Sequence, residues 1–206
     1  MPEGYRGRRL PHQAGVFFRR LKKLTDQYAL KPPGETGGFV WQNFNMKDIK
    51  KKIRQLEKLR TVPAKKALIP LLEQYLKDNA GDICAWYRLA CCNDFLGREL
   101  KAEPCYAKVY KGWHALPGKE RPGFFVGYGS TLRNNKKLAQ AAKVLREGVK
   151  HFPSNPELRI FLALALYSAG DFKSSARELF RACGGLPPSC VNGYDRAIAY
   201  YVKTLK

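Results

Sequence analysis

The side chains best suited to chemistry are the cations of the first 60 residues, which could bind phosphate groups. The chain carries 38 Lys and Arg against 17 Asp and Glu, a net charge of +21, and the excess is densest in this part. Few acids interleave with the cations there, as is typical of phosphate-binding segments. The candidate ligands are Arg6, Arg8, Arg9, Arg19, Arg20, Lys22, Lys23, Lys47, Lys50, Lys51, Lys52 and Arg54, and Lys58 continues the run.

Contacts between such cations and nucleic-acid phosphates release counterions, so they predict an affinity that falls with salt and needs no base recognition. A second set of basic residues recurs three or four positions apart and is predicted to share one outward stripe. Its members are Lys108, Lys111, Lys143, Arg146, Lys150, Arg177 and Arg181. For both sets the alternative is an ordinary solvated helix surface.

Six cysteines and three histidines could ligate a metal or act as nucleophiles. No two cysteines have the two-residue separation expected of a zinc site. No His accompanies a Ser or Cys and a carboxylate in an order that marks a catalytic nucleophile. The glycines of residues 123–129 are not accompanied by the Lys and the Ser or Thr of a nucleotide-binding phosphate loop. We therefore expect a non-enzyme without metal or cofactor. Its thiols should be reduced, although Cys183 and Cys190 could pair across a turn.

The sequence pattern that predicts the helices of this chain repeats every 34 positions. This is the length of a helix–turn–helix repeat. Small residues stand where the two helices of each pair should meet, and larger side chains there would force the helices apart. On the first helices these residues are Ala90, Gly129 and Ala163, and on the second helices they are Ala102, Ala141 and Ser175.

One period also carries a recognisable set of residues at fixed positions. Phe125, Tyr128, Gly129, Leu132, Ala141, Leu145 and Pro153 stand where a tetratricopeptide repeat (TPR) has Trp, Leu, Gly, Tyr, Ala, Phe and Pro. Residues 81–184 thus resemble the TPR family, in particular a short bacterial-type subgroup. The resemblance implies an all-α fold, a right-handed α-solenoid of about three helix pairs over residues 83–121, 122–155 and 156–189. It also implies an interaction scaffold rather than a catalyst.

The flanking segments are predicted to complete this stack, because the open ends of a solenoid are apolar. Residues 46–80 should form a helical capping pair. Residues 190–206 should form a C-terminal capping helix, with Tyr194, Ile198, Tyr201, Val202 and Leu205 as its apolar residues. Residues 1–45 are expected to be a basic, irregular arm that contains Phe17, Phe18, Phe39, Trp41 and Phe44. Either these rings pack back onto the repeats, or the arm orders on a partner.

The inner groove of such a stack is lined mainly by residues of the first helices. Here they are Tyr87, Cys91, Phe95, Val126, Ser130, Ile160, Leu164 and Tyr167. TPR proteins that grip the acidic C-termini of chaperones use Lys, Asn and Arg in the groove, and this set does not supply them. A mostly apolar groove is instead suited to an amphipathic helix or a hydrophobic segment.

Two functions are consistent with these features. The first is a structural subunit of an RNA-containing assembly, such as an organellar ribosome, with the arm on RNA phosphates and the repeats docking proteins. The second is a freestanding adaptor that binds a hydrophobic peptide or helix in the groove. We expect no membrane insertion, because no apolar run approaches the roughly 20 residues of a membrane span. The compartment is expected to be reducing, either a mitochondrial or other organellar matrix or the cytoplasm.

Overall fold

The computed structural model describes residues 46–59 and 61–184, together with residues 194, 196, 197 and 200. The two long ranges contain eight α-helices and no strand, which confirms the predicted all-α class. The helices are α1 (Met46–Glu57), α2 (Val62–Asp78), α3 (Ile83–Phe95), α4 (Glu99–Tyr110), α5 (Arg121–Asn134), α6 (Leu138–His151), α7 (Pro156–Ser168) and α8 (Phe172–Gly184). Two short 3-10 helices, Trp113–Ala115 and Gly118–Glu120, lie between α4 and α5.

Several helices begin where a polar side chain caps the first turn. The carboxylate of Asp82 accepts a hydrogen bond from the backbone N–H of Ala85 at 2.9 Å, and Asn155 accepts one from Leu158 at 3.0 Å. Such caps satisfy N–H groups that have no partner inside the helix. Proline in the first turn of α2, α5 and α7 favours the same start, since it lacks the N–H that would be unpaired there.

The helices pack in pairs along the chain, α1 with α2, α3 with α4, α5 with α6, and α7 with α8, and each pair packs on the next. This is the predicted α-solenoid of helix pairs. The small residues lie at the pair contacts, where Ala90, Ala102 and Ala141 are fully buried. At Ser175 the hydroxyl donates a 2.8 Å hydrogen bond to the carbonyl of Ala163, so this position holds a polar residue without leaving it unpaired.

Contact between successive pairs depends on a close approach at Gly148 of α6. A Cβ atom there would lie 2.8 Å from the Cβ of Phe125 in α5 and 2.9 Å from Cδ2 of Leu158 in α7. Phe125 and Leu158 are both fully buried. Glycine therefore lets α6 sit against the helices on both sides of it, and this contact joins the second repeat to the third.

The α1–α2 pair packs on α3 and continues the stack at its N-terminal end. Ile49, Ile53 and Leu56 form the buried side of α1, which lies against α2. An ion pair between Glu57 of α1 and Arg88 of α3 also connects this pair to the first repeat. The opposite side of α1 is exposed and strongly basic, which makes it the first candidate surface for function.

Candidate interaction surfaces

The exposed side of α1 presents a group of cations at helical spacing. Lys51, Arg54, Gln55 and Lys58 line an open depression of about 360 Å³, and no carboxylate contributes to its walls. We call these four residues the α1 basic face. All four are exposed. Their spacing of three and four places them along one side of the helix, where they could contact consecutive phosphates of an extended backbone.

A second depression, of about 230 Å³, lies between α1, α2 and α3, but its charges are largely balanced. Arg88 pairs with Glu57 there. The hydroxyl of Tyr75 donates a 2.9 Å hydrogen bond to Asp82, and Lys50 lies over the Tyr75 ring at 5.6 Å from its centroid. Because two carboxylates line this depression, it is a poorer phosphate site than the α1 basic face.

The predicted phosphate ligands are distributed unevenly in the structure. Lys50, Lys51 and Arg54 are exposed, whereas Lys52 is half-buried and burial lowers its pKa. Sequence reasoning missed Gln55, although its position three residues before Lys58 could have identified it. The remaining predicted ligands, Arg6, Arg8, Arg9, Arg19, Arg20, Lys22, Lys23 and the side chain of Lys47, lie outside the described residues.

The basic residues of the second helices do not all remain available to a partner. The ammonium of Lys108 lies 3.8 Å from the centre of the Trp86 ring, and Arg181 donates to Glu178 at 2.7 Å. Arg177 is half-buried. On α6, by contrast, Lys143, Arg146 and Lys150 are exposed in a row at spacings of three and four. This row is a second basic surface, on a different helix pair from the α1 basic face.

The predicted groove residues differ in their exposure along the stack. At its C-terminal end, Ile160 and Leu164 are each 40% exposed and Tyr167 is 63% exposed. Tyr167 also contacts Phe172 of α8, with ring centroids 5.1 Å apart. Phe95 in the first repeat is exposed too, whereas Tyr87, Cys91, Val126 and Ser130 are half-buried. The third repeat therefore offers the most open apolar surface among these residues.

A polar network fills the groove between the first and second repeats. Asp94 of α3 accepts hydrogen bonds from the Tyr106 hydroxyl at 3.3 Å and from the Thr131 hydroxyl at 3.4 Å. Burial raises the pKa of Asp94, and these two hydrogen bonds oppose that rise. The rings of Tyr87 and Phe124 contact Tyr106 with centroids 6.3 and 6.2 Å away. This part of the groove is thus occupied by the protein's own side chains.

Gly127 is required at this network because Tyr106 lies directly against it. A Cβ atom at Gly127 would be 2.5 Å from the Tyr106 hydroxyl oxygen. Sequence reasoning missed both Asp94 and Tyr106 as groove residues. Tyr106 is on a second helix and stands at a position that the repeat pattern assigns to packing, so no sequence signal showed that its hydroxyl turns towards Asp94.

Burial makes Cys92 and Cys105 poor nucleophiles. It raises the pKa values of Cys92 and Cys105 to about 11, so both thiols stay protonated at neutral pH. Cys183 is a free thiol, and Cys190, its predicted possible partner, lies outside the described residues. Within the described part of the chain no three His, Cys, Asp or Glu side chains cluster as metal ligands. None of the described helices is long and apolar enough to cross a membrane.

Comparisons with known proteins agree with this architecture. A family model described as Tetratrico peptide repeat matches residues 83–205, more than half of the chain. The chain therefore belongs to the tetratricopeptide repeat family, and this fold supports a role as a protein-interaction scaffold. A solved structure named MamA MSR-1 C2 is similar in fold, with a TM-score of 0.51 and 13% identity over 84% of this chain and 96% of that one. No curated protein matches the sequence.

Proposed function

We propose that this protein is a non-catalytic structural subunit of an RNA-containing assembly, in which the α1 basic face and the arm of residues 1–45 lie on RNA phosphates. The repeats would dock neighbouring proteins. The observation that supports this best is the α1 basic face, where Lys51, Arg54 and Lys58 surround a depression without carboxylates. An organellar ribosome, in a mitochondrial or other organellar matrix, is the specific assembly we propose.

The distribution of charge favours phosphates over an acidic protein as the partner of this face. The charges of the α1 basic face are all positive, and the chain has a net charge of +21. Such a face can bind a uniformly charged backbone without further recognition. A stable protein partner would usually contact an apolar centre from which charged residues are depleted. The α1 basic face has no apolar residue among its four members.

Sedimentation of native lysate on a density gradient tests the proposal. At low salt the protein should migrate with a large particle, and ribonuclease should release it to the top of the gradient. High salt should weaken the association, because phosphate contacts are replaced by counterions. A small species in every condition would overturn the proposal, and so would a large particle that resists ribonuclease.

A freestanding adaptor is the second candidate, and the exposure of Ile160, Leu164 and Tyr167 favours it. In that case Leu164→Ala and Tyr167→Ala should abolish the recovery of bound proteins, while Lys51→Gln with Arg54→Gln should have little effect. The RNA-assembly proposal predicts the reverse ranking for particle association. Both pairs of variants alter exposed side chains, so loss of folding would not explain either result.

A further inference from the structure

Two of the three histidines of the chain lie side by side at an exposed place in the structure, although 37 positions separate them in the sequence. His114 is in the connection between α4 and α5, and His151 is the last residue of α6. Both side chains are exposed. Their ring centroids are 6.4 Å apart, and the rings are nearly perpendicular, at 85°. We call these two rings the imidazole pair.

Aromatic rings of the core lie directly behind the imidazole pair. Trp113, which is 5% exposed, stacks on His114 with centroids 3.7 Å apart and 24° between the rings. It also contacts His151 with centroids 5.0 Å apart, and the fully buried Phe125 lies nearly parallel to His151, at 22°. Each imidazole therefore packs on aromatic side chains of the core while it remains accessible to solvent.

Arg121 fixes the connection that carries His114. Its guanidinium donates from Nε to the carbonyl oxygen of Leu116 at 2.8 Å and from Nη2 to that of His114 at 2.6 Å. The same group lies 5.9 Å from the centre of the Trp113 ring. Because Arg121 belongs to the first turn of α5, it ties the connection to that helix. The position of His114 is thus set before any ligand binds, which lowers the entropy cost of binding.

A line of cations on α6 ends at the imidazole pair. Lys143, Arg146 and Lys150, which we call the α6 row, are exposed along one side of the helix, and Lys150 directly precedes His151. The helix rises about 10 Å from the first of these cations to the last. Among the described residues, none of the three is part of a salt bridge. The row could therefore contact the phosphates of an extended strand.

Two carboxylates near the α6 row are engaged by other groups. Glu147 follows Arg146 on α6 and accepts a hydrogen bond from the hydroxyl of Tyr110. Asp171, in the turn before α8, accepts one from the backbone N–H of Ser174 at 3.0 Å. That hydrogen bond is the main reason why the pKa of Asp171 is lowered, and the charge of Arg146 contributes a smaller part. The three cations of the row remain exposed to solvent.

Exposed rings beside a line of cations are the combination by which proteins bind single-stranded nucleic acids, since the cations contact phosphates and the rings stack on bases. We propose that the imidazole pair stacks on bases of single-stranded RNA whose phosphates lie along the α6 row. An acidic protein segment would account for the cations alone, whereas an RNA strand accounts for the cations and the rings. The inference rests on the proposed function for the presence of RNA, and it adds a contact on the repeats that depends on the bases.

Fluorescence anisotropy of the full-length protein with two labelled probes tests this contact. One probe is an oligoadenylate of about 12 nucleotides, a length within the usual site sizes, and the other is an abasic ribose-phosphate oligomer of the same length. The oligoadenylate should bind about tenfold more tightly, because only it has bases to stack. Gln substitution of all three cations of the α6 row should weaken the binding of both probes and leave their ratio unchanged.

Variants of the imidazole pair assign the preference for bases to these rings. His114→Ala with His151→Ala should remove the preference, whereas His114→Phe with His151→Phe should keep it, because phenyl rings also stack on bases. If the double alanine variant is unstable, His114→Ala alone should give a smaller loss of the same kind. Tyr167→Ala is the matched control, since it removes a ring that is 63% exposed elsewhere on the stack, and it should leave the preference unchanged.

Each other outcome overturns the inference in a recognisable way. Equal affinity for the two probes would refute the stacking contact, while the proposed binding of phosphates by the α1 basic face would stand. A preference that survives the alanine variants would place the base contact elsewhere. A preference lost in the phenylalanine variant as well would show that the imidazoles do not act by stacking. If neither probe binds, this inference and the proposed binding of RNA both fail.

Discussion

At the scale of single residues, Gly129 determines how closely α5 and α6 can approach. A Cβ atom at this position would lie 2.4 Å from Cγ of Leu145 and 2.7 Å from both of its terminal methyl carbons. We expect Gly129→Ala to lower the free energy of unfolding by about 1–3 kcal/mol, the usual effect of overpacking. This loss should exceed the gain of about 0.5–1 kcal/mol from better helix propensity. Urea unfolding followed by circular dichroism measures the difference.

Two controls separate this contact from a general effect of alanine. Gly118→Ala adds a methyl group in open space, with no atom within 4 Å, and should change stability little. In a Leu145→Ala background the Leu145 methyl groups are absent, so Gly129→Ala should cost clearly less than in the natural sequence. An equal cost in both backgrounds would show that Leu145 is not the cause.

Asp94 should make stability depend on pH in an unusual direction. Burial raises its folded-state pKa above the value of 3.8 expected when unfolded, so the native state binds a proton more readily than the unfolded chain. The stability contributed by Asp94 therefore falls as pH rises through that folded-state pKa. We expect Asp94→Asn, relative to the natural protein, to be most favourable at about pH 7 and to lose this advantage as pH falls to about 4. Urea unfolding at the two pH values measures the change.

Glu103 provides a contrast of opposite sign for this measurement. Burial acts to raise its pKa, but hydrogen bonds from Lys137 and Asn135 outweigh burial and lower the pKa overall. Its contribution to stability is present above the unfolded value of 4.5 and is lost as pH falls through the lower folded-state pKa. Glu103→Gln should therefore be most unfavourable at neutral pH. The same pH trend in both variants would contradict the assignment for Asp94.

At the scale of the helices, the repeat period was sufficient to predict the all-α stack. The period predicts the fold because each helix pair must bury small residues at the same positions, such as Ala90 and Ala141, and these residues therefore recur regularly in the sequence. The hydrogen-bond network around Asp94 produces no recurring sequence pattern. Its hydrogen bonds join residues 12 and 37 positions apart, and only the three-dimensional stacking of α3, α4 and α5 brings them together. For the same reason the unequal exposure of the groove could not be predicted.

The helix α1 should bind RNA through its exposed side alone. We expect the combined substitution Lys51→Gln, Arg54→Gln and Lys58→Gln to weaken binding to single-stranded RNA. The slope of log affinity against log salt should fall by about 2, since each lost phosphate contact removes roughly 0.7 from it. Stability should change little, because all three side chains are exposed. Fluorescence anisotropy with labelled RNA at several salt concentrations measures both quantities.

A matched control removes the same charge elsewhere on the described surface. Lys66, Lys77 and Lys119 are exposed and lie outside the α1 basic face. Their combined substitution by Gln should reduce the salt slope much less, because only a general long-range attraction is lost. Equal effects of the two triple variants on the salt slope would mean that RNA binding depends only on the total charge of the protein. The α1 basic face would then have no special role.

At the scale of the whole molecule, net charge and local ion pairs act on stability in opposite directions. A net charge of +21 makes the compact state repel itself. Specific pairs oppose this effect, among them Glu57 with Arg88 and Glu178 with Arg159 at 2.9 Å. Added salt screens both interactions, so the sign of its effect on the melting temperature shows which one is larger.

We expect repulsion to be the larger effect, because the excess of cations extends over the whole chain, whereas each ion pair acts only between neighbouring side chains. Raising NaCl from about 20 to about 300 mM should therefore raise the melting temperature while it weakens RNA binding. The triple variant of α1 should show a smaller rise, because it carries three fewer charges to screen. A melting temperature that falls with salt would show instead that the local ion pairs contribute more to stability than the repulsion between the excess cations takes away.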